Sequence, residues 1–85
     1  MKFDGNRDDV MELVKRHLVT ELELKPEQIT EGARFKEDFD ADSLDLYELV
    51  MELEDRYEIT VSEQEAGRIS TVGDAVDFVM AKAGS

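Results

Sequence analysis

Residues 42–57, DSLDLYELVMELEDRY, carry a clear helical pattern in a chain of 85 residues. Their apolar side chains recur about every 3.6 residues, which is typical of an amphipathic helix. The apolar face consists of Leu46, Leu49, Val50, Leu53 and Tyr57, and the other face of Asp45, Glu48, Glu52 and Asp55. Asp42 or Ser43 is predicted to cap the start of this helix. The segment is therefore predicted to pack one face on a core and to expose an acidic one.

Three further helices are predicted on either side of this segment. Residues 7–22 form the first, with Asn6 as the predicted N-cap. Its apolar stripe consists of Val10, Leu13, Val14, Leu18 and Leu22. The residues Ser62-Glu63-Gln64-Glu65 match a capping box, which predicts a short helix that ends near Gly67. The last helix is predicted to begin at Thr71 and to present Val72, Ala75, Val76, Val79 and Met80 on one face.

The segment between the first helix and residue 42 shows no sustained period, and Pro26 blocks continuation of the first helix. Ile29, Phe35 and Phe39 are spaced through it in a way that predicts contact with a core. An extra short helix near Pro26–Gln28 is the alternative to an irregular loop. The sequence thus predicts a single all-α domain over residues 1–85. We expect a small four-helix bundle with three longer helices, a short third helix and a long first loop.

The chain is strongly acidic, with 10 Lys and Arg against 22 Asp and Glu and a formal net charge of −12. Such a surface repels phosphate backbones and anionic headgroups, so we expect neither nucleic acid nor acidic membrane as a partner. Because 41% of the residues are hydrophobic, the charge is expected on a folded domain rather than on a disordered tail. A partner with a basic patch is the better prediction.

The residue inventory narrows the classes of function further. The chain has no cysteine and one histidine, which argues against disulfides, zinc sites and hydrolytic triads, and we expect no catalytic activity. The first ten residues lack the apolar region of a signal peptide, and no apolar run is long enough to insert in a bilayer. We therefore expect a cytoplasmic protein. We also expect it to be a monomer. The start at Met1 and the lack of flanking linkers predict a discrete protein rather than a module of a larger enzyme.

Asp38, Asp40 and Asp42 alternate along the chain like the first ligands of an EF-hand calcium loop. That motif next requires glycine, where this chain has Ser43. It ends on a bidentate glutamate, where this chain has Leu49. Because two key positions fail, no metal site is predicted. Weak binding of a divalent cation by the clustered carboxylates stays open.

Ser43 admits a second interpretation, as a point of covalent attachment. A serine at a helix start lies near backbone N–H groups that have no partner within the helix. These donors and the helix dipole would stabilise a phosphodiester placed there. The alternative is that the serine only caps the helix, which is the commoner role of serine at this place.

The wider sequence resembles the acyl carrier protein family. The resemblance rests on Asp42-Ser43-Leu44 and the acidic helix that follows, and it continues through Glu65-Ala66 and residues 69–75. It reaches back to Ile29 and Phe35, and covers about residues 7–82. It implies that a phosphopantetheinyl transferase attaches 4′-phosphopantetheine from coenzyme A to Ser43. The thiol of that arm would hold acyl groups as thioesters, which agrees with the lack of cysteine in the chain.

The same resemblance implies a partner-facing surface on the helix after Ser43. That surface would consist of Asp42, Leu44, Asp45, Glu48, Met51, Glu54 and Asp55. Residues 42–58 hold seven carboxylates and one cation, Arg56, a net charge of −6. A chain selected for stability alone would intersperse lysines here, because like charges on neighbouring turns weaken a helix. Such a charge favours fast, reversible encounters with the partners that the resemblance implies, which are fatty acid synthesis enzymes and acyltransferases with basic patches.

Within this family, the acidic helix after Ser43 resembles that of carriers for dissociated (type II) fatty acid synthesis, so we expect a carrier of that class. A polyketide-type carrier is the nearest alternative. An unmodified acidic adaptor that weakly binds divalent cations is the alternative from another class. The chain departs from the family pattern at Asp40, where glycine is usual, and at Tyr47, where a small aliphatic residue is common. Aspartate tolerates a positive φ better than most residues, so the loop is expected to survive.

Overall fold

Three long helices pack against one another in the computed structural model, which describes residues 7–83. The helices are α1 (Arg7–Leu22), α2 (Phe35–Phe39), α3 (Ser43–Tyr57), α4 (Glu63–Gly67) and α5 (Val72–Ala83), of which α2 and α4 are short. α1 packs most extensively against α5 and also contacts α3. The described residues form no strand ladder, only an isolated bridge between Arg34 and Thr71. The predicted all-α bundle with three longer helices is confirmed.

The core is built from the apolar faces that the helical periods predict. Val10, Leu13, Val14 and Leu18 of α1 are buried, whereas Leu22 is only partly buried. On α3, the buried residues are Leu49, Val50 and Leu53, and on α5 they include Val72, Ala75, Val76 and Val79. Asn6, the predicted N-cap of α1, lies outside the described residues. Within residues 7–83, no helix combines the length and the apolar content that a membrane crossing requires.

The long first loop contains more structure than its lack of period indicates. A 3-10 turn occupies Pro26–Gln28, which is the alternative raised above, and the separate helix α2 follows at Phe35–Phe39. Phe35 and Phe39 are buried, with their rings edge to face at 6.3 Å between centroids. Ile29 is buried as well. The predicted contact of this segment with the core is confirmed, and its description as a plain loop is incomplete.

Backbone hydrogen bonds join this loop to the start of α5. The Phe35 N–H donates to the Ser70 carbonyl at 3.0 Å, and the Val72 N–H donates to the Ala33 carbonyl at 3.0 Å. The Gly73 N–H donates to the Glu31 carbonyl at 2.8 Å, and a Cβ at Gly73 would lie 3.0 Å from that same oxygen. Because real Cβ atoms rarely approach so closely, glycine suits this contact. The loop and the start of α2 are thus held against the start of α5.

Helices α3 and α4 begin and end as their sequences predict. The Glu65 N–H donates to the Ser62 hydroxyl at 3.1 Å, and the Ser62 N–H donates to the Glu65 carboxylate at 3.0 Å. This is the predicted capping box. The pKa of Glu65 is lowered mainly by the hydrogen bond from the Ser62 N–H. The Lys82 ammonium, 3.1 Å from the Glu65 carboxylate, lowers it further. α4 ends at Gly67, as predicted.

His17 lies between α1 and α3 with about one tenth of its side chain exposed. Its Nδ1 lies 2.5 Å from the Glu52 carboxylate, whereas its Nε2 is buried and has no hydrogen-bond partner among the described residues. A buried polar atom without a partner destabilises a fold. Glu52 is about half exposed, so its carboxylate stays solvated without the imidazole.

We expect His17→Leu to raise the free energy of unfolding by about 1 kcal/mol, because an apolar side chain of similar size removes the unpaired nitrogen. In a domain of this size the melting temperature should rise by roughly 4–8 °C. Thermal unfolding followed by circular dichroism measures the change, with Glu52→Gln as the control for loss of the Glu52 charge alone. A lower melting temperature for His17→Leu would show that the pair with Glu52 outweighs the buried nitrogen.

Candidate functional site

The start of α3 assigns different roles to Asp42 and Ser43. Asp42 is the N-cap, since its carboxylate accepts the Asp45 N–H at 3.0 Å. The Asp45 carboxylate accepts the Asp42 N–H in return at 3.2 Å, which completes a capping box. Ser43 is the first residue of the helix. Its side chain is exposed, and its hydroxyl forms no hydrogen bond with residues 7–83. Of the two predicted caps, the structure selects Asp42, and the Ser43 hydroxyl is left without a partner in the described part of the chain.

The residues before Ser43 form a tight connection between α2 and α3. Asp40 ends α2 in the left-handed region, with φ 56° and ψ 31°. Ala41 is buried, and its N–H donates to the Phe35 carbonyl at 2.9 Å. The departure from glycine at residue 40 is therefore accommodated, since aspartate adopts this conformation more readily than most residues. The turn leaves Ser43 one residue beyond the cap, on the surface.

Two of the three carboxylates that resemble a calcium loop, Asp38 and Asp42, accept backbone N–H groups. The Arg34 N–H donates to the Asp38 carboxylate at 2.7 Å, and this hydrogen bond is the main cause that lowers the pKa of Asp38. The Asp42 carboxylate caps α3. Within the described range, no three Asp, Glu or His side chains are grouped as a metal site would require. Asp42 thus caps α3, and Asp38 accepts the N–H of the residue that precedes α2.

A cavity of about 150 Å³ opens beside Ser43, between α2, α3 and α4. Its lining residues are Phe35, Lys36, Glu37, Ser43, Leu46, Tyr47, Ala66, Gly67, Ile69 and Ser70. Phe35, Ala66 and Ile69 are buried, so one wall of the cavity belongs to the apolar core. The lining also includes Lys36, Glu37 and Ser70, so both apolar and polar side chains surround the cavity. The site therefore pairs a free hydroxyl with room for a short apolar group.

The exposed side of α3 carries a row of large apolar side chains. Leu44 is 64% exposed, Met51 62% and Tyr47 45%. Their spacing places them along one side of the helix. Leu44 and Met51 are among the residues predicted to face a partner, and Tyr47, which departs from the family pattern, extends the same row. The signal for Tyr47 was its spacing from Leu44 and Met51.

The predicted acidic residues of this surface differ in what they contact. Glu48 and Asp55 are exposed and form no hydrogen bond or ion pair with the described residues. Asp45 is partly buried and belongs to the capping box. The Glu54 carboxylate accepts the Val61 N–H at 2.9 Å in a partly buried contact. Glu54 thus braces the connection from α3 to α4, a role that the sequence pattern did not indicate.

Leu44, Glu48, Met51 and Asp55 share one face of α3, because they are spaced alternately by four and three residues. All four are exposed. We call these four residues the α3 stripe. The stripe begins next to Ser43 and alternates apolar and acidic side chains.

The chain is similar to known carriers in sequence and in fold. A family described as a phosphopantetheine attachment site matches residues 12–79, a range that contains Ser43. Among solved structures, the acyl carrier protein from Enterococcus faecalis superposes with a TM-score of 0.80 and 32% sequence identity. That match covers 92% of this chain and 99% of the other.

Proposed function

This chain belongs to the acyl carrier protein family, and we propose that it carries acyl groups as thioesters on a 4′-phosphopantetheine arm attached to Ser43. The observation that carries the proposal is the free, exposed hydroxyl of Ser43 at the start of α3. Asp42 already caps the helix, so modification of Ser43 leaves the capping box intact. The serine is thus available without any loss of structure.

The residues around Ser43 suit a bound phosphodiester and its arm. α3 has 15 residues, and the positive end of its dipole favours an anion at its first turn. The arm, when bound, supplies the thiol that this chain lacks. The cavity beside Ser43 offers apolar walls to the start of an acyl chain. Each feature supports a covalent cofactor at this residue.

We infer a carrier rather than a catalyst from the position of the single histidine. His17 lies on α1 and pairs with Glu52, on the side of α3 that contacts α1. Ser43 therefore lacks the imidazole base that commonly activates a serine nucleophile. Its hydroxyl would react only when a separate transferase supplies the base and coenzyme A.

We propose the α3 stripe as the principal docking surface for enzymes that load and use the arm. Glu48 and Asp55 are not engaged within the described chain, so their charges are available to basic side chains of a partner. Leu44 and Met51 add apolar area at the centre of such a contact. Asp42 and Asp45 add negative charge near Ser43. Glu54 adds negative charge on α3 outside the stripe. Long-range attraction combined with a small apolar contact gives fast and reversible binding.

The acidic α3 favours a carrier of dissociated (type II) fatty acid synthesis. We propose that this carrier acts in the cytoplasm as a monomer. Residues 42–58 carry a net charge of −6, which suits a protein that visits several enzymes in turn. A polyketide-type carrier is the second candidate, because Tyr47 places an aromatic ring at the cavity where a small aliphatic residue is common. The identity of the cargo distinguishes the two.

The attachment is tested by incubating the protein with coenzyme A and a phosphopantetheinyl transferase and measuring its intact mass. We expect a gain of one phosphopantetheine, and no gain in Ser43→Ala. Ser70→Ala is the matched control, because Ser70 lines the same cavity, and it should be modified like the unaltered protein. A gain that persists in Ser43→Ala would place the attachment elsewhere and overturn the assignment.

A further inference from the structure

Lys36 is the one cation between residues 35 and 55, a stretch that contains nine carboxylates. It is exposed on the short helix α2 and lines the same cavity as Ser43. A positive side chain on the wall of that cavity contrasts with the acidic residues that otherwise surround the serine. The question is which anion this cation meets.

The carboxylates nearest to Lys36 in the chain are already paired with another residue. Arg34 contacts the Glu37 carboxylate at 3.3 Å and the Asp38 carboxylate at 3.6 Å. The Lys36 ammonium forms no ion pair or hydrogen bond with residues 7–83. It is therefore an uncommitted cation, although it stands next to two carboxylates. Arg34 contacts both neighbouring carboxylates, and Lys36 stays available to another anion.

We propose that Lys36 binds the phosphodiester anion of the arm on Ser43, an inference that rests on the proposed function. The phosphodiester would add a negative charge next in sequence to Asp42 and close to Asp40 and Asp45, all of which repel an anion. Asp40 increases that repulsion, because the family usually has an uncharged glycine there. Lysine suits the task, because its ammonium is a compact charge on a flexible stem that can follow the phosphate.

Lys36 acts here as a positioning residue. An ion pair between α2 and the phosphate would hold the base of the arm at the mouth of the cavity. The thiol at the other end of the arm would then reach a smaller part of the protein surface than it would with the base of the arm unrestrained. A carboxylate on the cargo is the other anion that could reach Lys36, and the unacylated protein separates the two sources because it carries the phosphodiester alone.

The test compares melting temperatures of the apo protein and the unacylated holo protein, for the unaltered chain and for Lys36→Gln. Attachment should lower the melting temperature of Lys36→Gln by about 2–4 °C more than that of the unaltered protein at low salt, the effect of one exposed ion pair in a domain of this size. The difference should vanish near 1 M salt, where charges are screened within about 3 Å. The phosphorus NMR resonance of the holo protein should also shift in Lys36→Gln.

Two control variants keep the result specific. Lys25→Gln removes an exposed lysine of the same loop that does not line the cavity, and Lys36→Arg keeps the charge. Both should behave like the unaltered protein. Equal effects of attachment in Lys36→Gln and in the unaltered protein would overturn this inference while the carrier function stands. Failure of Ser43 to accept the arm at all would overturn the proposed function, and this inference with it.

Discussion

Glu48→Lys should reduce the kcat/KM of enzymes that load the arm by about tenfold at low salt, because it reverses a charge at the centre of the α3 stripe. Glu48 is exposed and forms no contact within the described chain that the change would break. The fold should therefore be retained, with unchanged circular dichroism. The loss should arise in the rate of encounter rather than in the chemical step.

The salt dependence distinguishes this effect from a structural one. Rates for Glu48→Lys and the unaltered protein should converge as salt rises toward 1 M, where screening is nearly complete. Glu12→Lys on α1 makes the same change of net charge away from the stripe, and its effect should be much smaller. Equal losses in the two variants would indicate that total charge matters and that α3 is not the docking surface.

Asp45→Lys reverses a neighbouring charge but is a less direct test. The Asp45 carboxylate accepts the Asp42 N–H in the capping box, so this change removes a structural hydrogen bond together with a negative charge. Loss of a cap destabilises a helix by about 1 kcal/mol. A slower reaction of Asp45→Lys would therefore mix two causes, which Glu48→Lys avoids.

Phe35→Ala should lower the free energy of unfolding by about 3–5 kcal/mol, which is a large share of the stability of so small a domain. Phe35 is only 2% exposed, packs edge to face on Phe39 and forms part of the cavity wall. Removing the ring takes away buried apolar surface and leaves a larger void. Backbone hydrogen bonds tie Phe35 to Ala41 and Ser70, which limits how far the surrounding chain can collapse into that void.

Urea unfolding followed by circular dichroism at 25 °C measures this loss. Tyr47→Ala is the matched control, because Tyr47 is an aromatic residue on the same cavity but is 45% exposed. We expect it to lose no more than about 1 kcal/mol. A loss below about 1 kcal/mol for Phe35→Ala would mean that α2 is not anchored to the core as the structure describes.

The long helices could be predicted from the sequence because each repeats its apolar pattern over several turns. Val10 and Val14 of α1, and Leu49 and Leu53 of α3, are spaced by four residues and are all buried. α2 could not be predicted in the same way, because five residues make little more than one turn. Its stability comes from Phe35 and Phe39 in the core and from contacts with the start of α5. These contacts are distant in sequence.

The candidate site was predicted less completely than the fold. The motif around Ser43 indicated the attachment residue, but both Asp42 and Ser43 could have been the cap, and only the hydrogen bonds of the capping box separate them. The contact of Glu54 with Val61 depends on how the chain turns after α3. Lys36 has no ion-pair partner among the described residues, and the Arg34 side chain instead contacts the neighbouring carboxylates. The Arg34 pairs and the capping box follow the three- and four-residue spacings of a helix, whereas the contact between Glu54 and Val61 has no such signature.

The intact mass of the protein purified from its native source, before and after hydroxylamine treatment, tests the carrier function most directly. We predict a mass increased by one phosphopantetheine, with an additional acyl mass that hydroxylamine removes because it cleaves thioesters. Fragmentation should locate the arm on Ser43, and the acyl mass would identify the cargo. A protein found only at its unmodified mass, or modified at a residue other than Ser43, would contradict the account.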